Sequence, residues 1–222
     1  MSQLHTFTFN AFQEQTYLLD HGQGKATVFD PGMNSKEERE QFKTYCAKLG
    51  VEIVQCLLTH AHLDHILGLS WVFDTWGVLP RLHPSDNLTW EQAPMAAELY
   101  GVRMDPLPPR GIDLGSQGSM IECGQHRLEV RCAPGHSIGH VVFVNDEEGW
   151  VIGGDVLFRG SVGRTDLPGG DGKVLSASIE SQLYTLPDNF EVWPGHGPST
   201  TIGEEKASNP FVNAAGSGML QH

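Results

Sequence analysis

Basic residues are scarce in this chain: 14 Lys and Arg stand against 27 Asp and Glu, a formal net charge of −13. Phosphate backbones are held by clustered Lys and Arg, so the balance argues against a nucleic-acid partner. Long apolar runs are missing too. No stretch approaches the roughly 18 to 20 apolar residues that a membrane-spanning helix requires. The opening residues MSQLHTFTFN lack the basic and apolar regions of a secretory signal. Cysteine is sparse. Cys46, Cys56, Cys123 and Cys132 show no C-x-x-C spacing and read as buried thiols in a reducing cytoplasm. No linker or low-complexity run divides residues 1–222, which read as a single domain.

What is present suits a layered fold. Hydrophobic residues at 39% can build a core, while 26 glycines and 13 prolines imply many tight turns between short elements. Thr6–Phe9 and Gln15–Leu19 alternate polar and apolar residues, as a half-buried antiparallel pair does. Ala26–Phe29 runs into the turn Asp30-Pro31-Gly32. Ser35, with Glu38 three residues on, predicts a capped helix continuing to Leu49 and ended by Gly50. Ile53–Leu58 is a short strand, a helix is expected from Asp64 to Trp76, and Val78–Leu82 is a strand candidate. Residues 85–100 look helical despite Pro94, and Met104–Gly111 should be a loop. Further strands are expected at Arg127–Cys132, Val141–Val144, Trp150–Gly153 and Phe190–Trp193, with a helix over Val174–Leu183.

The chemistry gathers after the Ile53–Leu58 strand, in Thr59-His60-Ala61-His62-Leu63-Asp64-His65. Neutral imidazoles and a carboxylate are the ligands that borderline divalent ions such as zinc prefer. His60 and His62, two apart on an extended segment, can point the same way. The adjacent Asp64 and His65 diverge unless the chain turns helical there, which suits two ions rather than one. His136, Asp155 and His196 each follow another predicted strand and are flanked by glycine. Alone, each is more simply a turn residue; with the first cluster they complete a two-metal set. His5, His21, His83, His126 and His222 have no ligand-like context, and His140 reads as a structural neighbour of His136.

The pattern His60-x-His62-x-Asp64-His65, followed by His136, Asp155 and His196, resembles the metallo-β-lactamase superfamily. That resemblance implies an α/β fold of the α+β kind, a four-layer αββα sandwich. It implies His60, His62 and His136 on one ion and Asp64, His65 and His196 on the other. Asp155 would bridge the two ions, with Asp30 as a supporting carboxylate. Ser161–Asp171, Pro194–Pro198 and Thr200–Glu205 are most similar to the glyoxalase II group, particularly its short bacterial members. The implied activity is hydrolysis of a thioester such as S-D-lactoylglutathione by a hydroxide shared between two divalent ions, held by Asp155 and Asp64. Zinc is the first expectation for those ions, with iron and manganese also compatible. Arg164 occupies the place of a basic glutathione contact, although the helical glutathione-binding domain typical of that group is not expected after residue 222. The partner implied is a small thioester, with no nucleic acid or membrane, in the cytoplasm. Persulfide dioxygenases share the histidine pattern and a stretch like Gly163–Asp166, which implies an alternative iron enzyme acting on glutathione persulfide. A β-lactamase fits less well because a bridging Asp155 is not that group's pattern. A non-catalytic binding protein would be expected to have lost ligands, yet all seven positions are filled.

Overall fold

In the computed structural model, which describes residues 4–220, the alternation of Phe7 and Phe9 with exposed Thr6 and Thr8 becomes β1 (Leu4–Phe9). It pairs antiparallel with β2 (Glu14–Asp20), as expected, but β2 is not half-buried: every residue from Glu14 to Leu19 is buried, so its polar positions lie inside as well. β3 (Lys25–Phe29) follows, then α1 (Lys36–Leu49) and β4 (Glu52–Leu57). Both halves of the predicted capping box form: Ser35 Oγ accepts from Glu38 N–H and Glu38 Oε2 accepts from Ser35 N–H. Gly50, at φ 71°, closes the other end of α1. Helix α1 buries Phe42, whose ring meets Phe7 at 5.1 Å and Trp76 at 6.2 Å between centroids.

The helix expected from Asp64 to Trp76 is two helices, α2 (Leu63–Ile66) and α3 (Leu69–Trp76). The break falls at Gly68, whose N–H donates to the Pro31 carbonyl at 2.7 Å. A Cβ there would meet Met33 Sδ and stand 2.7 Å from that same carbonyl. The Asp30-Pro31-Gly32 turn therefore packs directly on the helix break, which hydrophobic periodicity cannot reveal. The next strand shrinks from the expected Val78–Leu82 to β5 (Pro80–Arg81). After a tight turn at Pro84–Asp86, α4 (Asn87–Tyr100) runs through Pro94 unbroken. Pro94 sits on the exposed face, where the carbonyl deprived of its helical partner can meet water. Strand order is β1-β2-β3-β4-β5, with β3–β4 and β4–β5 parallel.

The later strands are β6 (Met120–Cys123), β7 (His126–Cys132), β8 (Val141–Asn145), β9 (Trp150–Gly154), β10 (Leu157–Phe158) and β11 (Ser161–Val162). Then come α5 (Gly172–Ser178), β12 (Glu191–Pro194), β13 (Thr200–Thr201) and α6 (Ile202–Ser208). The second sheet has the order β13-β12-β9-β8-β7-β6, and β10 and β11 form a separate hairpin. Every residue of β8 and β9 is buried, as their apolar runs require of central strands. The expected helix over Val174–Leu183 begins earlier, where Asp171 caps α5 by accepting from Lys173 and Val174 N–H groups, and it widens into a π-type turn at Ile179–Leu183. β6, β10, β11, β13 and α6 were not anticipated.

The described residues group into two compact units, 4–114 with 121–127 and 115–120 with 128–220. Each has its own core. One gathers Phe9, Leu18, Val28, Phe42, Ile53 and Val72; the other gathers Val142, Val151, Leu175, Ile179, Leu183 and Val192. No helix among the described residues is long and apolar enough to cross a membrane.

Candidate metal centre

In the first unit the donors emerge where β4 ends. His62 is the extended residue that precedes α2, and one turn of helix then carries both Asp64 and His65. The chain does turn helical there, so these neighbours converge: Asp64 Oδ2 lies 3.7 Å from His65 Nε2. The His60 ring sits 4.7 Å from His62 and 4.2 Å from His65, centroid to centroid. His60 and His65 are fully buried.

One carboxylate sets the protonation of two of these rings. Asp30, held at φ 45° by the turn after β3, accepts from Thr59 N–H at 2.7 Å and from the Thr59 hydroxyl at 2.6 Å. Its Oδ2 also accepts from His65 Nδ1 at 3.1 Å. Because the Thr59 hydroxyl proton goes to Asp30, its oxygen accepts from His60 Nδ1 at 3.0 Å. Both imidazoles thus carry their proton on Nδ1 and leave a lone pair on Nε2, which makes them metal-competent ligands. Asp30 Oδ, His60 and His65 donor atoms lie within 4.8 Å of one another. The Asp30 oxygens are committed to three donors, however, so the residue orients ligands rather than acting as one.

The second unit presents His136, Asp155 and His196. His136 follows β7, and its Nδ1 donates to the Arg164 carbonyl at 2.7 Å. Only glycine fits beside this bond, because a Cβ on Gly163 would strike the Asp155 carbonyl and approach His136 Nδ1 to 3.0 Å. Asp155 follows β9, and its N–H donates to His140 Nε2 at 3.0 Å. His140 therefore fixes the main chain at Asp155, the structural role expected of it. His196 follows β12 in a turn pinned by Gly195 N–H to the Gly154 carbonyl at 2.7 Å. Asp155 Oδ2 stands 3.4 Å from His136 Nε2 and 3.5 Å from His196 Nε2.

These contacts test whether a metal fits. With its proton on Nδ1, His136 turns the Nε2 lone pair toward a carboxylate oxygen, and His65 does the same toward Asp64. Two acceptors facing each other repel unless a cation lies between them. The donor set of neutral imidazole and carboxylate is the one borderline divalent ions take. Residues and geometry fit the ions expected.

Several neighbours were missed. Asp86, fully buried, accepts from Ala61 N–H at 2.6 Å and so braces the loop between His60 and His62. Glu14, also fully buried, places Oε1 3.9 Å from His65 Nδ1, and burial pushes its carboxyl well above the ordinary range. Phe158 meets the His196 ring edge-on at 6.1 Å. Only the folded chain reveals such roles: Asp86 falls near the start of the predicted helical stretch 85–100, and Glu14 just before the predicted strand Gln15–Leu19. Arg164 is exposed, and its guanidinium pairs with Asp166 through Nε and Nη2, both at 2.7 Å.

The histidines set aside are otherwise occupied. His5 bonds Tyr45, His21 bonds Thr27, His126 contacts the Asp20 carbonyl and His83 accepts from Ser85 N–H. His222 lies outside the described residues. All four cysteines are free thiols. Burial pushes the Cys46 thiol up to about 12 and Cys123 up to about 11, so both stay protonated.

Comparison with known proteins identifies the family. The family model Lactamase_B, described as the metallo-beta-lactamase superfamily, matches residues 10–196. The chain is similar to hydroxyacylglutathione hydrolase GloC of Haemophilus influenzae, with 35% identity over 207 residues, covering 92% of this chain and 95% of the relative. Among solved structures, it resembles the BLEG-1 B3 metallo-beta-lactamase with a TM-score of 0.86 and 34% identity, covering 95% of this chain and 99% of that one. It also resembles a di-iron-bound form of TTHA1623 with a TM-score of 0.83 and 39% identity, covering 94% of this chain and all of that one (100%). The fold expected from the sequence is the fold found.

Proposed function

The chain belongs to the metallo-beta-lactamase superfamily, and from that premise we propose that it is a metal-dependent thioesterase of the hydroxyacylglutathione hydrolase kind. In this reading His60, His62 and His136 hold one divalent ion, Asp64, His65 and His196 hold a second, and Asp155 serves both. When bound, such ions supply Lewis acidity: they make a water nucleophilic near neutral pH and polarise a carbonyl.

The chain's own residues do the rest. Asp30, Thr59 and the Arg164 carbonyl keep the Nε2 lone pairs of His60, His65 and His136 available without any reorganisation. The His140 contact holds the main chain of Asp155 so that its Oδ2 remains between two histidines. A thiolate departs with little protonation, so a thioester needs no strong acid from the protein. Arg164 offers a guanidinium to the carboxylates of a glutathione-like carrier.

The observation that carries this reading is Asp155 Oδ2, 3.4 and 3.5 Å from two imidazole nitrogens, as a shared ligand requires. Similarity to the Haemophilus hydrolase supports the substrate class. Zinc is the ion proposed; the di-iron form of TTHA1623 supports iron as the alternative. The free cysteines support a reducing, cytoplasmic setting.

The test is metal analysis of the purified protein together with hydrolysis of S-D-lactoylglutathione before and after chelation. Thioester cleavage that disappears with the metals and returns on reloading is expected. Undiminished turnover by metal-free protein would sink the proposal. The likeness to BLEG-1 favours β-lactam hydrolysis as a second reading, and nitrocefin turnover in the same preparation distinguishes it. The persulfide dioxygenase alternative predicts oxygen uptake with glutathione persulfide.

A further inference from the structure

We propose that Asp166 determines specificity by occupying the Arg164 guanidinium, so that an anionic thiol carrier must displace it before its own carboxylate can bind. The inference rests on the thioesterase reading and deepens it, since it concerns how that site selects a carrier.

Three observations carry it. First, Asp166 uses both oxygens on the Nε–Nη2 edge of Arg164, at 2.7 Å each. This fork is the arrangement a substrate carboxylate would adopt on that edge, so the two occupants exclude each other there. Second, the side chains are 55% and 68% exposed. A carrier can reach the pair from solvent, and exchanging one carboxylate for another desolvates little. Third, Arg164 is not a remote surface residue. Its carbonyl anchors His136 Nδ1 at 2.7 Å, which roots the main chain that carries the guanidinium beside a proposed metal ligand.

Asp166 is only two residues away, so its local concentration is high and the fork is filled by default. The Arg164 bond holds the Asp166 carboxyl down at about 2, and it remains an anion at every physiological pH. Paired, the two residues present no net charge. A neutral thioester gains nothing by displacing Asp166, whereas a carrier with two carboxylates can replace it and also keep its second charge near the guanidinium. The site is thereby set to admit neutral thioesters unaided and to accept anionic carriers at a reduced affinity.

Calorimetric titration of the metal-loaded protein with S-methylglutathione, and with its dimethyl ester, tests this at low ionic strength. Asp166→Asn should tighten binding of the thioether, which carries two carboxylates and one ammonium, by about two- to fivefold, the range for exposed ion pairs. Binding of the diester should not change. The gain should vanish in an Arg164→Gln background, which separates pairing from the general loss of one negative charge, and it should shrink with added salt. Thermal melting of each variant establishes that it is folded. Unchanged or weaker S-methylglutathione binding in Asp166→Asn would overturn the proposal. So would an equal gain for the diester, a gain that persists without Arg164, or no detectable binding by any variant. Because binding is read without turnover, failure of the thioesterase reading shows separately, as absent lactoylglutathione hydrolysis with the Arg164–Asp166 coupling intact.

Discussion

Replacing Asp30 with Asn should reverse the protonation of two proposed ligands while leaving the backbone in place. Asn tolerates positive φ better than most residues, so the 45° value at this position adds little strain. If the amide oxygen keeps the Thr59 N–H, the new NH₂ group faces the Thr59 hydroxyl and His65 Nδ1, both of which now donate to Asp30. Donor would meet donor, and relief comes only by moving protons. His65 shifts its proton to Nε2, and Thr59 turns its hydroxyl toward His60 Nδ1, which pushes the His60 proton to Nε2 as well. Each ring then presents N–H where a lone pair is needed. One hydrogen bond to a charged group contributes about 1.5–3 kcal/mol. At about 1.4 kcal/mol per tenfold, losing one lowers metal affinity by about 10- to 150-fold, in line with losses of about 10–100-fold when partners of ligating histidines are removed. Competition against a chromophoric chelator measures the affinity, and nitrogen-15 shifts of the imidazoles report the tautomers. Wild-type affinity with protons still on Nδ1 would refute the argument.

Other expectations follow from the same structure. Phe42→Ala removes a fully buried ring from a cluster with Phe7, Trp71 and Trp76 and should destabilise by about 3–5 kcal/mol, read by urea unfolding. Gly68→Ala drives a methyl into Met33 and the Pro31 carbonyl and should destabilise by about 1–3 kcal/mol in the same assay. Burial raises the Glu38 carboxyl, but bonds from the Ser35, Asn34 and Asn10 N–H groups outweigh it and leave its pKa below the ordinary 4.5. In the window between those two values the unfolded chain binds more protons, so stability rises with pH; the contribution is complete above about 4.5 and fades as pH falls through the folded value. Glu38→Gln should flatten that acid limb when unfolding free energy is measured against pH.

How much the sequence disclosed depended on how local each cause was. The α1 boundaries were legible because Ser35, Glu38 and Gly50 act within one helical turn of the residues they cap. The buried face of β1 was legible from its alternation, whereas β2, with Glu14, Gln15 and Thr16 buried alongside its apolar residues, was not half-buried as its alternation implied. The break at Gly68 was not, since its cause is the Pro31 carbonyl some 37 positions earlier, a contact no periodicity carries. The donors His60, His62, Asp64 and His65 were recognisable by type and spacing, yet their convergence depended on α2 starting at Leu63. Asp86 and Glu14 escaped notice because an acidic residue at the start of a predicted helix or just before a predicted strand looks solvated until the fold buries it.

The same distinction separates the proposed ligands of the first unit from those of the second. His60 and His65 are governed by a side chain, Asp30, which substitution can remove; His136 is governed by a main-chain carbonyl, that of Arg164, which it cannot. Changing the Arg164 side chain therefore leaves the His136 tautomer intact, so the proposed carrier recognition can vary at that position without disturbing the proposed ligand beneath it. What cannot vary is Gly163, because any side chain there displaces the carbonyl of Asp155 and crowds His136 together. On the proposed reading the stretch Gly163-Arg164-Thr165-Asp166 divides its labour: the first residue keeps Asp155 and His136 in place, and the second and fourth select the carrier.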